Sequence, residues 1–244
     1  MDEIQVVVAH SERATLRVGD VFVKIDTDQT RLDTEVEAMG IVPVPTARVL
    51  WRHAPALALA AVPGVALGNL GEPSTASPAA WAAGGAAVRR LHDAPLPRWP
   101  GRAVDDFRAE LDRECEWLLA HEILPADTIT RNRDLARTAL REWTPVFIHG
   151  DLQVDHVFVE GDEVTAIIDW SEASRGDAHR DLATLTLGHP DHLDDVLVGY
   201  GGGVDRDLIR AWWSMRCLCN LRWLHEHGYG EIDTFPEVAV LRRA

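Results

Sequence analysis

Asp151 and Asp169 are the residues of this 244-residue chain whose surroundings point most directly to chemistry. They bracket most of the stretch HGDLQVDHVFVEGDEVTAIIDW, His149 to Trp170. An apolar run, Val146-Phe147-Ile148, delivers a His149-Gly150-Asp151 turn. Val157-Phe158-Val159 then reads as a short strand, Glu160-Gly161-Asp162-Glu163 as a turn, and Val164 to Ile168 as a second strand. Two apolar runs joined by a short glycine-containing turn predict an antiparallel hairpin. Folding back around Gly161-Asp162 carries Asp169 to Val154–His156, with Asp151 one loop away. Two carboxylates, an imidazole and a tight glycine turn then meet at one mouth. Carboxylates gathered in this way suit holding Mg²⁺ and taking a proton. Either aspartate alone would also suit an ordinary loop, where its side chain bonds local backbone.

A second candidate comes from composition. Lys24 is the only lysine of the chain, and every other cationic side chain apart from histidine is arginine. A sequence that otherwise uses arginine and keeps one lysine implies a site that needs a compact ammonium rather than a planar fork. Lys24 falls on the third of three expected strands, Ile4 to Ala9, Ala14 to Val18 and Val21 to Ile25. The last two are joined by a Gly19-Asp20 hairpin turn. Alternation places Lys24 on one face with Phe22, opposite Val21, Val23 and Ile25.

The central motifs resemble those of the aminoglycoside phosphotransferase and choline kinase branch of the protein-kinase-like superfamily. That branch carries H-G-D-x-x-x-x-N, then a hairpin, then I-D-W or I-D-F, then G-D-x-x-x-D-L-A. This chain has His149-Gly150-Asp151, Ile168-Asp169-Trp170 and Gly176-Asp177-Ala178-His179-Arg180-Asp181-Leu182-Ala183, in that order. His156 stands where the family has a metal-binding Asn. The resemblance implies an α+β, protein-kinase-like, two-lobed fold. Residues 1–63 would form a small antiparallel nucleotide-binding lobe with one helix. Residues 64–244 would form a larger, mostly helical catalytic and acceptor-binding lobe, with Pro63-Gly64 at the boundary.

The resemblance also assigns expected roles. Asp151 would take or orient the proton of an acceptor hydroxyl, and His149 would brace its turn. Asp169 would hold Mg²⁺ on the nucleotide phosphates. Lys24 would neutralise phosphate charge, fixed by Glu35 on a helix expected between Thr30 and Met39, with Glu37 as the fallback. Ser11 is the family-like residue of the loop covering the nucleotide, a loop without glycine in this chain. The carbonyl of Ala60 and the amide of Val62 would meet the adenine edge. Asp177 and Asp181 would brace the catalytic loop. Mg²⁺ prefers oxygen donors, so His156 weakens one metal contact or leaves it to water, and favours Mn²⁺ as an alternative.

The resemblance therefore implies an ATP- or GTP-dependent transfer of the γ-phosphate to a small-molecule hydroxyl. An antibiotic of aminoglycoside, peptide or nucleoside type is the expected acceptor, giving resistance. An acceptor side formed by Glu114, Glu116, Asp191, Asp194 and Asp195 would suit a cationic acceptor, and one walled by tryptophan a nucleoside-type one. Two other classes fit the motifs: a catalytically impaired nucleotide- or ligand-binding relative, and a metal-dependent hydrolase with His149, Asp151, His156 and Asp169 as ligands. The hydrolase reading leaves Lys24 without a task.

Bulk properties narrow the classes further. A net charge of −15 and a pI near 5.1 argue against nucleic acid or an anionic membrane as partner. The acidic excess would favour a cationic substrate, and serves equally as a solvating surface. No apolar run is long enough to span a bilayer, and MDEIQVVV lacks the basic start of a secretory signal. A cytoplasmic monomer or homodimer is expected. Cys115, Cys217 and Cys219 lack C-x-x-C spacing and read as packing residues.

The remaining elements are expected as helices. Ser77-Pro78 is an N-cap and first-turn proline for a helix ending near His92, with Trp81, Val88 and Leu91 on its apolar stripe. His92 is expected as a hydrogen-bonded core residue. Further helices are expected over Val104 to His121, Asn132 to Trp143 and Asp207 to His227. Between the last two, His189 to Gly203 reads as a loop. The tryptophans of the last helix read mainly as core, with a minority available to an acceptor pocket.

Overall fold

The computed structural model describes residues 4–9 and 12–243. Strands β1 (Ile4–Ala9), β2 (Arg13–Val18) and β3 (Val21–Asp26) form an antiparallel meander, followed by helix α1 (Gln29–Met39). β4 (Val49–His53) and β5 (Ala56–Ala60) complete a five-stranded sheet in the order β1-β2-β3-β5-β4. Lys24 pairs with Thr15 on one side and Leu57 on the other, so the lone lysine sits on an interior strand. α1 starts at Asp28, whose side chain accepts from the amide of Thr30. It buries Leu32, Glu35 and Ala38. Leu32 packs with Ala47, Leu57 and Leu59 in a small apolar cluster beneath the sheet. Glu35, one turn along from Leu32, is thereby carried under the same sheet, next to Lys24.

β6 (Val65–Ala66) leads into the helical part, where α2 (Pro78–His92), α3 (Val104–Ala120) and α4 (Ala126–Ala139) follow. Ser77 caps α2 by accepting from the amide of Ala80, and Pro78 opens the first turn, as its sequence requires. β7 (Val146–Ile148), β8 (Val157–Glu160) and β9 (Glu163–Ile167) carry the central stretch. β8 and β9 form the expected hairpin, with Val157 opposite Ile167, and β6 adds to its free edge. β10 (Ser174–Gly176) pairs with β7 just before α5 (Ala178–Thr186). The chain then runs through α6 (Leu193–Tyr200), α7 (Arg206–Glu226) and α8 (Pro236–Arg243). A large core cluster joins these helices, with Trp81, Trp170 and Phe147 among its fully buried side chains.

Two expected elements differ. The third helix of the helical part begins at Ala126 and stops at Ala139, earlier than Asn132 to Trp143. Pro125 has no amide to lose and starts the helix there. The stretch expected as a loop between His189 and Gly203 contains α6. Its Leu193, Val196 and Tyr200 share one buried face against α2, a helical period masked by the flanking Asp, His and Gly residues. The two helices touch at glycines: a Cβ on Gly85 would lie 2.0 Å from the Val196 carbonyl oxygen, and one on Gly199 1.7 Å from that of Ala82.

Candidate active site

The His149-Gly150-Asp151 turn is held from three directions. Asp181, buried in the first turn of α5, accepts from the His149 amide at 2.7 Å through Oδ2 and from the Gly150 amide at 2.9 Å through Oδ1. His92 Nε2 stands 3.2 Å from the same Oδ2, and its Nδ1 meets the Tyr200 hydroxyl at 2.9 Å, which fulfils its expected core role. Gly150 has φ +88°, and a Cβ there would lie 2.2 Å from the Glu172 carbonyl oxygen, so only glycine fits.

His149 is fully buried, and its two nitrogens have different tasks. Nε2 donates to the Ile168 carbonyl at 2.8 Å, and Nδ1 accepts from the Asp151 amide at 3.3 Å. Burial pushes its pKa below the ordinary histidine value, so the ring is neutral. With both nitrogens engaged, His149 ties the His149-Gly150-Asp151 turn to the end of β9. It has no lone pair to give a metal, which removes a ligand from the hydrolase reading.

Asp169 sits in the left-handed region, at φ +63° and ψ +64°, an uncommon place for a residue other than glycine. Its Oδ1 accepts from Lys24 Nζ at 2.9 Å and from the Ser171 hydroxyl at 3.2 Å. The same ammonium donates to Glu35 Oε1 at 2.6 Å. Lys24 thus links the β3 strand, the α1 helix and the β9 end through one group. Glu37, the fallback partner, instead pairs with Arg98 on the surface. Burial would lower the Lys24 pKa, but the carboxylates of Asp169 and Glu35 outweigh it and raise the value. Burial would raise Asp169; Lys24 and the His156 ring hold it well below the usual carboxylate range instead.

His156 donates through Nδ1 to the Asp151 carbonyl at 2.8 Å. Its Nε2 lone pair therefore faces Asp169, 3.9 Å from Oδ2. That oxygen and that nitrogen are the donors a divalent cation would find here. One carboxylate oxygen and one imidazole fit a cation tolerant of nitrogen, completed by nucleotide phosphate and water.

A cleft of about 420 Å³ opens beside these groups. Lys24, Phe22, Ala60, Val62, His156 and Asp169 all line it. Ala60 is the last residue of β5, and its amide bonds the Arg48 carbonyl at 2.9 Å. No group among the described residues accepts from the Val62 amide. Ser11 lies outside the described residues.

Three neighbours of Asp151 were not expected from sequence. Arg216 on α7 places NH2 2.7 Å from Asp151 Oδ1, and Gln153 Nε2 donates to Oδ2 at 2.9 Å. Burial would raise the Asp151 carboxyl, but the Arg216 guanidinium chiefly offsets it and holds the group well below the usual range. Arg180 on α5 lines one cavity with Arg216 and is coupled electrostatically to Asp151. A lone cation inside the apolar run Trp212-Trp213-Ser214-Met215-Arg216-Cys217-Leu218 was the available signal for Arg216, since a buried charge needs a partner. Of that run, Trp212 is buried with Nε1 donating to Asp177 Oδ2 at 2.9 Å, while Trp223, further along, is exposed. Asp177 caps α5 as expected, accepting from the His179 amide.

A two-lobed kinase-like arrangement with this set of carboxylates is the frame of phosphotransferases. The model of the Phosphotransferase enzyme family matches residues 14–216, and the chain belongs to that family. A streptomycin 3''-kinase of Streptomyces griseus is 34% identical over 160 residues, 58% of this chain and 58% of that protein. The chain thus matches little more than half the length of that curated relative. Among solved structures, the aminoglycoside phosphotransferase APH(3'')-Id of Streptomyces rimosus shares the fold at TM-score 0.65, 24% identity, and 88% and 92% coverage of the two chains. The GDP complex of aminoglycoside 2'-phosphotransferase-IIIa gives a TM-score of 0.75 at 16% identity, covering 100% of this chain and 92% of that one.

Proposed function

We propose that this protein transfers the γ-phosphoryl group of ATP or GTP to a hydroxyl of a small molecule, an antibiotic being the acceptor class its relatives support. The observation that carries this reading is Lys24, whose ammonium bonds Glu35 and Asp169 at 2.6 and 2.9 Å at the wall of a cleft large enough for a nucleotide. A phosphate-pairing amine fixed by a helical carboxylate is what phosphoryl transfer by positioning and charge balance requires. The streptomycin 3''-kinase relative supports a resistance role.

The residues divide the work. Lys24 leaves Asp169 for nucleotide phosphate oxygens while Glu35 keeps it aimed. Asp169 and His156 hold the divalent cation, Mg²⁺ or Mn²⁺, which supplies charge neutralisation to the phosphates when bound. Asp151 accepts a hydrogen bond from the acceptor hydroxyl and takes its proton as the new phosphorus–oxygen bond forms and the γ-phosphorus bond to the leaving ADP or GDP breaks. His149 and Asp181 fix the turn that presents it. The unpartnered Val62 amide and the Ala60 carbonyl serve the purine edge. The chain bends near Pro63-Gly64 between residues 1–63, which hold nucleotide, and 64–244, which hold acceptor.

A nucleotide-consumption screen against an antibiotic panel, with Asp151→Asn as blank, tests the reading. Turnover with one compound and none in the blank is expected. Nucleotide binding without turnover across aminoglycoside, peptide and nucleoside antibiotics would instead favour the impaired relative, for which the Arg216–Asp151 ion pair is the specific motive.

A further inference from the structure

Arg216, the partner of Asp151, also lines a separate cavity of about 100 Å³ together with Arg102 and Arg180, with Glu110 as its one acid. Arg102 pairs with Glu110 at 2.8 Å, and Arg216 with Asp151 at 2.7 Å. Arg180 has no carboxylate within ion-pairing distance among the described residues. Phe107 carries two of these charges, with the Arg102 and Arg180 guanidinium carbons 4.2 and 5.4 Å from its ring centroid. Trp212 backs the ring edge-on at 5.3 Å. An aromatic platform therefore holds cations together despite their repulsion. None of Glu114, Glu116, Asp191, Asp194 and Asp195, the acids expected to line an acceptor side, lines this cavity. Glu114 pairs with Arg113 and lies near Arg222, Asp194 pairs with Arg206, and Asp195 with His192.

We propose that the acceptor carries an acid group, a carboxylate or a phosphate, next to the hydroxyl that is phosphorylated, and that Arg180, Arg102 and Arg216 bind it. The proposal rests on the phosphotransferase reading and narrows its substrate. The acid group supplies the partner Arg180 lacks. It also draws Arg216 off Asp151, freeing Oδ1 for the acceptor hydroxyl, so that the base is unmasked only when an acceptor of the right charge arrives. Polycationic acceptors meet three arginines at the same place and are disfavoured.

The test uses sulfate as probe. The whole protein, saturated with ADP and Mg²⁺ so that the nucleotide cleft is filled, is titrated calorimetrically with sodium sulfate at ionic strength held constant with chloride. Wild type is expected to bind one sulfate. Arg180→Gln weakens it about tenfold or more, the loss of one charge-assisted hydrogen bond, and Arg180→Lys retains most of the affinity. Arg102→Gln, at the more exposed rim, weakens it less and serves if Arg180→Gln does not fold. Malonate and inorganic phosphate in place of sulfate distinguish a carboxylate from a phosphate preference. A fluorescent ADP analogue binds all variants alike. No sulfate binding to wild type, or affinity indifferent to both Arg→Gln changes, overturns the proposal while leaving phosphotransfer intact. Failure of the ADP analogue to bind wild type sinks the phosphotransferase reading itself.

Discussion

Lys24 shows how one residue type can carry functional information. Its compact ammonium serves two carboxylates 145 and 11 positions away in sequence, and a guanidinium would need more room and a planar arrangement of acceptors. Lys24→Arg is therefore expected to raise the nucleotide KM about tenfold or more without unfolding the chain, as steady-state kinetics beside a thermal melt would show. Retained affinity in that variant contradicts the phosphate role. Asp151→Asn should lower kcat by about 10² to 10⁴ with nucleotide binding retained. His156 gives a sharper test, because its Nε2 is the nitrogen that faces Asp169. His156→Asn should shift the ratio of Mg²⁺- to Mn²⁺-supported rates towards Mg²⁺, and an unchanged ratio removes His156 from the metal site. As candidates that the fold brings together, Asp151, His156 and Asp169 were legible from short motifs, Lys24 from being the only lysine, and Glu35 from the family-like helix pattern around it. Arg216 was not, since its meaning depends on α7 crossing the His149-Gly150-Asp151 turn, a contact between segments more than 60 residues apart; Gln153 is local to that turn but falls at a position to which the motif assigns no residue type.

At the level of elements, the β8–β9 hairpin and the capped α2 helix follow from local signals alone. The start of α4 and the existence of α6 do not. The signal for α6 is diluted by Asp194 and Asp195 on its exposed side, and it becomes a helix by burying three residues against α2. The composition of His189 to Gly203 reads as a loop, and composition misleads where a short helix is stabilised by packing. α5 makes the strongest claim on the site, because Asp181 holds the His149 and Gly150 amides of the turn that presents Asp151. Asp181→Ala leaves those buried N–H groups without acceptors and should cost about 3 kcal/mol or more, seen as a lower urea midpoint. A variant with unchanged midpoint would show that the turn holds itself.

For the whole molecule, the site imposes a pH range on stability. Buried His149 resists protonation, so below about pH 6.5 the unfolded chain binds the extra proton and stability falls. Asp151, Asp169 and Asp181 are held low, so below about pH 4 their unfolded forms take up protons that the folded forms refuse, and stability falls again. Lys24, raised by its carboxylates, contributes below about pH 10.4 and loses that contribution as pH climbs through its folded value. Melting temperature should accordingly be level only between roughly pH 7 and 8, fall above about pH 8.5, where the unfolded chain ionises the thiols of Cys115, Cys217 and Cys219 that burial keeps protonated, and decline in two stages on acidification; a level curve from pH 7 to 3 would contradict the charge states of His149 and the aspartates. The two-lobed plan was legible from motif order, whereas the separate apolar cluster of Leu32, Ala47, Leu57 and Leu59 required the sheet register.

The left-handed backbone at Asp169 has a practical corollary. A glycine there relaxes φ +63° but removes one of the two acids that share the Lys24 ammonium, leaving only Glu35 beside it. Asp169→Gly should be inert and melt lower than the parent at neutral pH, because the ion pair with Lys24 is lost while the unfolded chain gains freedom. Asp151→Asn, which leaves Lys24, Asp169 and His156 in place, is the silent form that would hold nucleotide and acceptor side by side, and the natural vehicle for capturing the acceptor from a mixture.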